Sequence, residues 1–348
     1  MGKEKTYMKK PRAVIAVTAL FAFCILGLGV RRAHSQDKTD TSQVHMVITD
    51  QAFNDSTEIP RLKAEDLQLK VGGDDVKVAQ LIPAQGDNAA LQLFVLIDDT
   101  CEPQPIGNNL NDLREFINAQ PASTMVGIAY LSNATIQVAQ NLTNDHALAA
   151  KAIRLPRGMA SAMDSPYLSL VSLVRSWPES KVRRQVLIIT DGIDRLRGDT
   201  SRFGPSQRST RPLTPPQANP LVTMPTIPQD ATTASNASQR AGIIVHSIFA
   251  TGVGRMGRNA WEQQLGQGGV AKVTDETGGE YFALGLENAV SFKPYLERLQ
   301  KIFNNQYFLV FHVTPEGNGR LQRVRISTEV PNADIAAADN VWVPGTGS

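Results

Sequence analysis

The spacing of apolar positions changes along this chain, and each change marks an element. Between residues 41 and 85 apolar and polar positions alternate. Residues 44–49 read as a strand, and Leu67, Leu69 and Val71 alternate up to a turn at Gly72-Gly73-Asp74-Asp75, after which Val76 and Val78 resume. That is a hairpin with one buried face, and a segment so short cannot build a core alone. From Ala90 the pattern is different. Leu91, Leu93, Phe94, Val95, Leu96 and Ile97 form a near-continuous apolar run that stops in Asp98, Asp99, Thr100 and Glu102. A run apolar on both faces fits a central strand of a parallel sheet covered by helices. Val186, Leu187, Ile188 and Ile189, followed by Thr190, Asp191, Gly192, Ile193 and Asp194, have the same form.

Helical spacing predicts helices over 109–119, 144–153 (with Asn144 as cap), 167–176, 231–241, from Trp261, and over 290–303, with Phe292, Tyr295, Leu296, Leu299 and Ile302 on the core side of the last. Further strands are expected at 125–131 and 134–139, joined by a tight turn, and at 243–249 and 281–282. Strands alternating with helices predict an α/β fold with a doubly wound, mostly parallel sheet of the Rossmann type. Residues 306–313 and 320–327 return to strand. Because the ends of an α/β domain often lie close together, segments 41–85 and 305–345 are expected to pack together as a small β-rich frame, with the α/β domain of residues 90–304 inserted between them. Residues 201–229 are Pro-rich and without period, with Arg202, Arg208 and Arg211, and read as an exposed insertion.

Composition adds limits. The 348 residues allow about two domains, and 42% hydrophobic with 20% charged residues is the balance of a globular protein with a sizeable core. A net charge of +2 gives no basis for binding nucleic acid. Lys3, Lys5, Lys9, Lys10 and Arg12 precede an apolar run over 13–30, and Ala33-His34-Ser35 follows. Residues 1–35 therefore read as an export signal peptide. The length of the run and Arg31-Arg32 make a retained single-span membrane anchor the alternative. Either way the bulk of the chain is expected outside the cytoplasm, secreted or in the periplasm or cell envelope. The two cysteines are Cys24, inside that segment, and Cys101, which excludes an internal disulfide of the mature protein and a Cys-rich metal site.

In doubly wound sheets the carboxyl ends of the strands face the crevice where ligands sit. Asp98, Thr100, Glu102 and Asp191 thus bring oxygen donors to one edge, and a few carboxylates and hydroxyls suffice for Mg²⁺, which keeps several waters. Here the sequence resembles the von Willebrand factor type A domain, and in particular the bacterial VWFA-related proteins, over residues 42 to 345. The resemblance is carried by LKAEDLQLKV, VLIDDTCE, VGIAYLSNATIQVAQNLT, VLIITDGID, VTDETGGEYF and NNQYFLVFHVTPEGNGRLQRVRIS. It implies a metal-ion-dependent adhesion site built on Asp-x-Ser-x-Ser, a distant Thr and a distant Asp. Asp98 matches the first position, Thr100 and Glu102 replace the two serines, and Asp191 matches the last Asp. Alignment at Asp164 puts Ala160 in place of the Thr, with Ser161 beside it. The implied site is therefore degenerate, with Asp98, Thr100, Glu102, Ser161 and Asp191 as metal ligands and Mg²⁺ or Mn²⁺ as the ion. The implied function is adhesion or protein–protein interaction, without catalysis, with a protein partner whose acidic side chain completes the coordination. A structural binding module with a vestigial metal site is a variant of this reading, in which Asp98 and Asp191 only cap strand ends.

Two other readings compete. Asp98-Asp99-Thr100 with Asp191 and Asp194 also resembles haloacid-dehalogenase-type phosphohydrolases, with Asp98 as nucleophile and Mg²⁺ on the later acids. Thr100 stands where the leaving group's acid belongs, and no Lys is placed for that chemistry. Gly252-Val253-Gly254-Arg255-Met256-Gly257 spells a dinucleotide fingerprint, but it comes late in its domain and reads better as a flexible loop near the acidic edge. His246, mid-strand, reads as packed rather than catalytic.

Overall fold

A computed structural model describes residues 41–52, 59–196, 229–254, 260–283, 285, 287–315 and 317–346, which fall in one unit spanning Asp40–Ser348. The alternating N-terminal segment forms β1 (Ser42–Ala52), β2 (Leu67–Val71), β3 (Asp74–Val76) and β4 (Val78–Pro83). Leu67, Leu69 and Val71 are buried, and the β2–β3 turn is only Gly72-Gly73, both at positive φ (64° and 109°). A two-residue hairpin turn requires that conformation, which glycine adopts without strain. The expected hairpin ends at Val76. Asp74 and Asp75 lie in β3, and Val78 opens β4, which pairs with a different sheet.

The α/β part contributes β5 (Leu91–Asp98), α1 (Pro103–Asn108), α2 (Leu110–Asn118), β6 (Thr124–Ser132), β7 (Thr135–Thr143), α3 (His146–Lys151), α4 (Pro166–Ser176), β8 (Arg183–Thr190), α5 (Gln229–Ala241), β9 (Ile243–Phe249), α6 (Ala260–Glu276), β10 (Tyr281–Phe282) and α7 (Lys293–Asn304). Its six strands run β10-β9-β8-β5-β6-β7, all parallel except β7. The alternate residues of β5 explain its apolar run. Leu91, Leu93, Val95 and Ile97 pack with Leu113 and Ile117 of α2 and Leu296 and Leu299 of α7, while Phe94 and Leu96 pack with Tyr167, Leu170 and Val171 of α4 and Val270 of α6. Both faces are covered, so neither tolerates a polar period.

Some elements depart from expectation. Helix α1 was not foreseen, although Pro103 at its start suits a first helical position. The cap of α3 is Asp145 rather than Asn144: its carboxylate accepts from Leu148 N at 3.0 Å. Helix α7 starts at Lys293, leaving Val290 92% exposed before it.

The chain ends in β11 (Gln306–Val313), β12 (Arg320–Thr328), β13 (Ala333–Ala337) and β14 (Asn340–Val343). The terminal segments interleave in two four-stranded sheets, β13-β1-β11-β4 and β14-β12-β2-β3. They share one core, including Met46, Ile48, Leu69, Val71, Leu309, Phe311 and Val343. This is the β-rich frame around an inserted α/β fold. A buried polar bridge ties the two. Arg183 of β8 donates to Phe303 O at 2.8 Å and Gln306 Oε1 at 2.7 Å, and Gln306 Nε2 donates to Thr49 Oγ1 of β1 at 3.2 Å. The export or anchor segment 1–35 lies outside the described residues, as does nearly all of the Pro-rich insertion. Among the described residues no helix is long and apolar enough to cross a membrane.

Candidate functional site

Strand order reverses around β5: β6 and β7 lie on one side, β8, β9 and β10 on the other. Such a reversal opens a crevice at the carboxyl ends of the strands flanking it, here β5 and β8. Asp98 is the last residue of β5 and Asp191 follows β8, so the topology alone brings them to one edge.

The side chains there form a closed network. Asp98 Oδ1 accepts from Thr100 N at 2.9 Å and Thr100 Oγ1 at 2.8 Å, and Asp98 Oδ2 accepts from Thr190 Oγ1 at 2.6 Å. Burial, and then the charge of Asp191, push the Asp98 carboxyl up to about 6, against the pull of Arg195, the Thr190 hydroxyl and Thr100 N. Asp191 Oδ1 accepts from Ile193 N at 2.9 Å. The loop after β8 then turns Arg195 back over the acids. Its Nη2 pairs with Asp191 Oδ2, while Nη1 donates to Thr100 Oγ1 at 3.2 Å and lies 3.4 Å from Asp191 Oδ1. Burial alone would depress this guanidinium, but Asp191, and then Asp98, raise its pKa above the ordinary value.

The segment 251–254 closes the network from above. Glu102 N donates to Thr251 O and Val253 N to Thr100 O, both at 2.8 Å, around a bridge between Cys101 and Gly252. Gly252 is needed for contact: a Cβ there would run into Asp191 Oδ2 and the Arg195 guanidinium. Gly192, at φ 70°, packs against the backbone of Gly266 in α6 and leaves no room for a Cβ either. Under this cover Asp98 is 2%, Thr100 1% and Asp191 0% exposed. The Cys101 thiol is buried too, and burial pushes its pKa well up, so it is inert packing.

Of the residues expected as metal ligands, Asp98, Thr100 and Asp191 meet in this network. Glu102 stands half-buried at the start of α1. Ser161 sits in the loop before α4, where its Oγ accepts from Met163 N at 3.1 Å and its N–H donates to Asp164 Oδ2 at 2.5 Å. Asp164 is a loop organiser: its other oxygen accepts from Asn133 N at 2.7 Å, and its carbonyl accepts from Arg195 N at 2.8 Å. Among the described residues no group of three or more His, Cys, Asp and Glu is placed to hold a metal. The network as arranged does not fit a hydrated Mg²⁺ or Mn²⁺, which needs about six oxygen ligands, several of them waters. The oxygens that would serve face Arg195 and are sealed from solvent.

Asp98 also lacks the open approach a phosphohydrolase nucleophile needs, since both its oxygens are engaged beneath the cover. In the dinucleotide-like stretch, Gly252-Val253-Gly254 forms part of that cover and the rest lies outside the described residues. His246 is fully buried: it accepts from Glu280 N at Nδ1 (3.0 Å), which leaves Nε2 to donate to Gln185 Oε1 at 2.8 Å. It is a packing residue.

Beside the sealed network lies an open surface. Asp99, 2% exposed, takes a two-pronged ion pair from Arg154 (2.7 and 2.9 Å), accepts from Arg157 N at 3.2 Å, and its carbonyl accepts from Gly158 N at 3.0 Å. Arg154 also stacks on the Tyr130 ring, 3.6 Å from its centroid. The loop pinned in this way presents Leu155, Met159 and Met163 at 46%, 69% and 56% exposure. Sequence reasoning missed Arg195, Thr190 and the role of Asp99. The available signal for Arg195 was a basic residue four positions past the second strand-end acid.

No family model matches the chain, and no curated protein matches it. Solved structures similar to it include an aerotolerance-related membrane protein from Bacteroides fragilis (13% identity, 62% of this chain and 99% of that one, TM-score 0.40). Others are a von Willebrand factor type A protein from Catenulispora acidiphila (10%, 88% and 74%, TM-score 0.38) and the vWF domain of the type V pili tip protein Mfa5 from Porphyromonas gingivalis (12%, 61% and 95%, TM-score 0.38). At such identities and TM-scores these likenesses say nothing about what this chain binds.

Proposed function

We propose that this chain is an exported, von Willebrand type A-like interaction module that binds a protein partner outside the cytoplasm and catalyses no reaction. The observation that carries the reading is the loop 154–163. A buried carboxylate, Asp99, fixes its base through Arg154, while Leu155, Met159 and Met163 stand in solvent. Exposing apolar side chains on a pinned loop costs solvation that a partner would recover, and methionine adapts readily to a contact surface. The strand-end acids support binding over catalysis, because their oxygens are engaged and covered. For the same reason contact through the loop is favoured over a partner's acidic side chain completing the coordination of a metal. The apolar segment 13–30 supports export, with anchoring as its alternative outcome.

The test compares the purified protein with a Met159→Ser/Met163→Ser variant of unchanged melting temperature, each used to retain proteins from an envelope extract. A protein held by the first and lost by the second is the expected result. An identical set on both, or hydrolysis of a phosphate ester that depends on Asp98, would contradict the proposal.

A further inference from the structure

We propose that Arg195 is a built-in cation that takes the place of the divalent ion at the strand-end acids, so that this edge is held together without metal. The inference stands on the geometry of β5 and β8 and does not depend on which partner the loop binds. Three features carry it. First, the guanidinium meets the donors that a divalent ion would use: Nη2 pairs with Asp191, and Nη1 donates to Thr100 Oγ1 at 3.2 Å. Second, among the described residues Arg195 is the cation that meets those donors. Asp98 is satisfied by the hydroxyls of Thr100 and Thr190 and by Thr100 N, and the positive charge that balances it and Asp191 is that of Arg195. Third, the arginine is placed from several sides. Its own N–H donates to Asp164 O at 2.8 Å, Nη1 donates to Ile193 O at 3.3 Å, and Gly252 leaves only enough room for the pair.

The substitution has a chemical logic. A divalent ion must be acquired and keeps exchangeable waters, whereas a guanidinium is always charged, arrives with the chain and brings directional donors in a plane that suits a carboxylate. The edge is thereby fixed in a single closed arrangement. An ion that a partner could share is traded for one that it cannot.

The proposal is tested by melting the wild-type protein, Arg195→Ala and Arg195→Ala/Asp191→Asn with and without millimolar Mn²⁺, Mg²⁺ or methylguanidinium. The wild type is expected to melt at the same temperature in all cases. Arg195→Ala should melt lower and recover by about 5 °C when a cation fills the vacated place, as expected for a ligand that binds the native state only. Removing Asp191 as well should abolish that recovery. If Arg195→Ala does not fold, refolding it with and without the cations gives the same reading, and folded protein obtained only with a cation supports the proposal. A wild-type shift with Mn²⁺ or Mg²⁺ that Asp98→Asn abolishes would overturn it. So would an Arg195→Ala protein that no cation restores or refolds.

Discussion

At the scale of the residue, this protein is shaped by how buried polar groups find partners. His246 shows the cost most simply. It is enclosed between Gln185, Glu280 N and the Phe303 ring, and burial lowers its pKa to about 3. Its folded pKa therefore lies below the ordinary value of 6.5. Above pH 6.5 both states are neutral and nothing changes. Below it the unfolded chain takes up a proton that the folded one refuses, and stability falls until the pH nears 3. Relative to His246→Gln, the wild type should lose about 2 kcal/mol between pH 7 and pH 5, read from urea midpoints. An equal loss in both proteins would show that the ring titrates freely in the fold. Asp98 and Asp191 were visible in the sequence because an acid that ends an apolar run has few structural reasons to be there. Arg195 was not, since a lone basic residue four positions past a strand-end acid does not by itself show that the loop turns back to bury it.

Among the elements, those sealed on both faces were the most legible. Strands β5, β8 and β9 announce themselves as apolar runs, and α2 and α4 by their helical stripes. Helix α1 and strands β13 and β14 are short, and pairing or docking rather than propensity holds them. The β2–β3 hairpin was extended too far because Val78 keeps the alternation while changing sheets. The β6–β7 turn carries a correctable strain. Asn133 and Ala134 both lie at positive φ (51° and 55°), as a two-residue turn demands. Asn tolerates that region, whereas Ala is disfavoured there. Ala134→Gly should therefore stabilise the protein by about 0.5 kcal/mol, since the relieved strain outweighs the added entropy of the unfolded chain. The readout is a higher urea midpoint at unchanged slope, and a lower midpoint would mean that the turn is not strained.

At the scale of the whole molecule, segments 42–83 and 306–343 build a frame that holds the α/β sheet from below, through Arg183, Gln306 and Thr49. The opposite edge is left for the strand-end network and the loop beside it. That arrangement was foreseeable from the return of strands after residue 305, whereas the buried arginine at the join lies in the polar stretch just ahead of an apolar run, where a charged residue reads as exposed. The chain thus resembles a metal-dependent binding domain in its pattern while its own arginine fills the central place. Crystals grown in Mn²⁺ and examined by anomalous scattering test this most directly. The guanidinium of Arg195 should lie against Thr100 and Asp191, with no manganese peak among them and Asp98. A manganese peak bonded to Asp98 and Asp191, with Arg195 turned away, would contradict it.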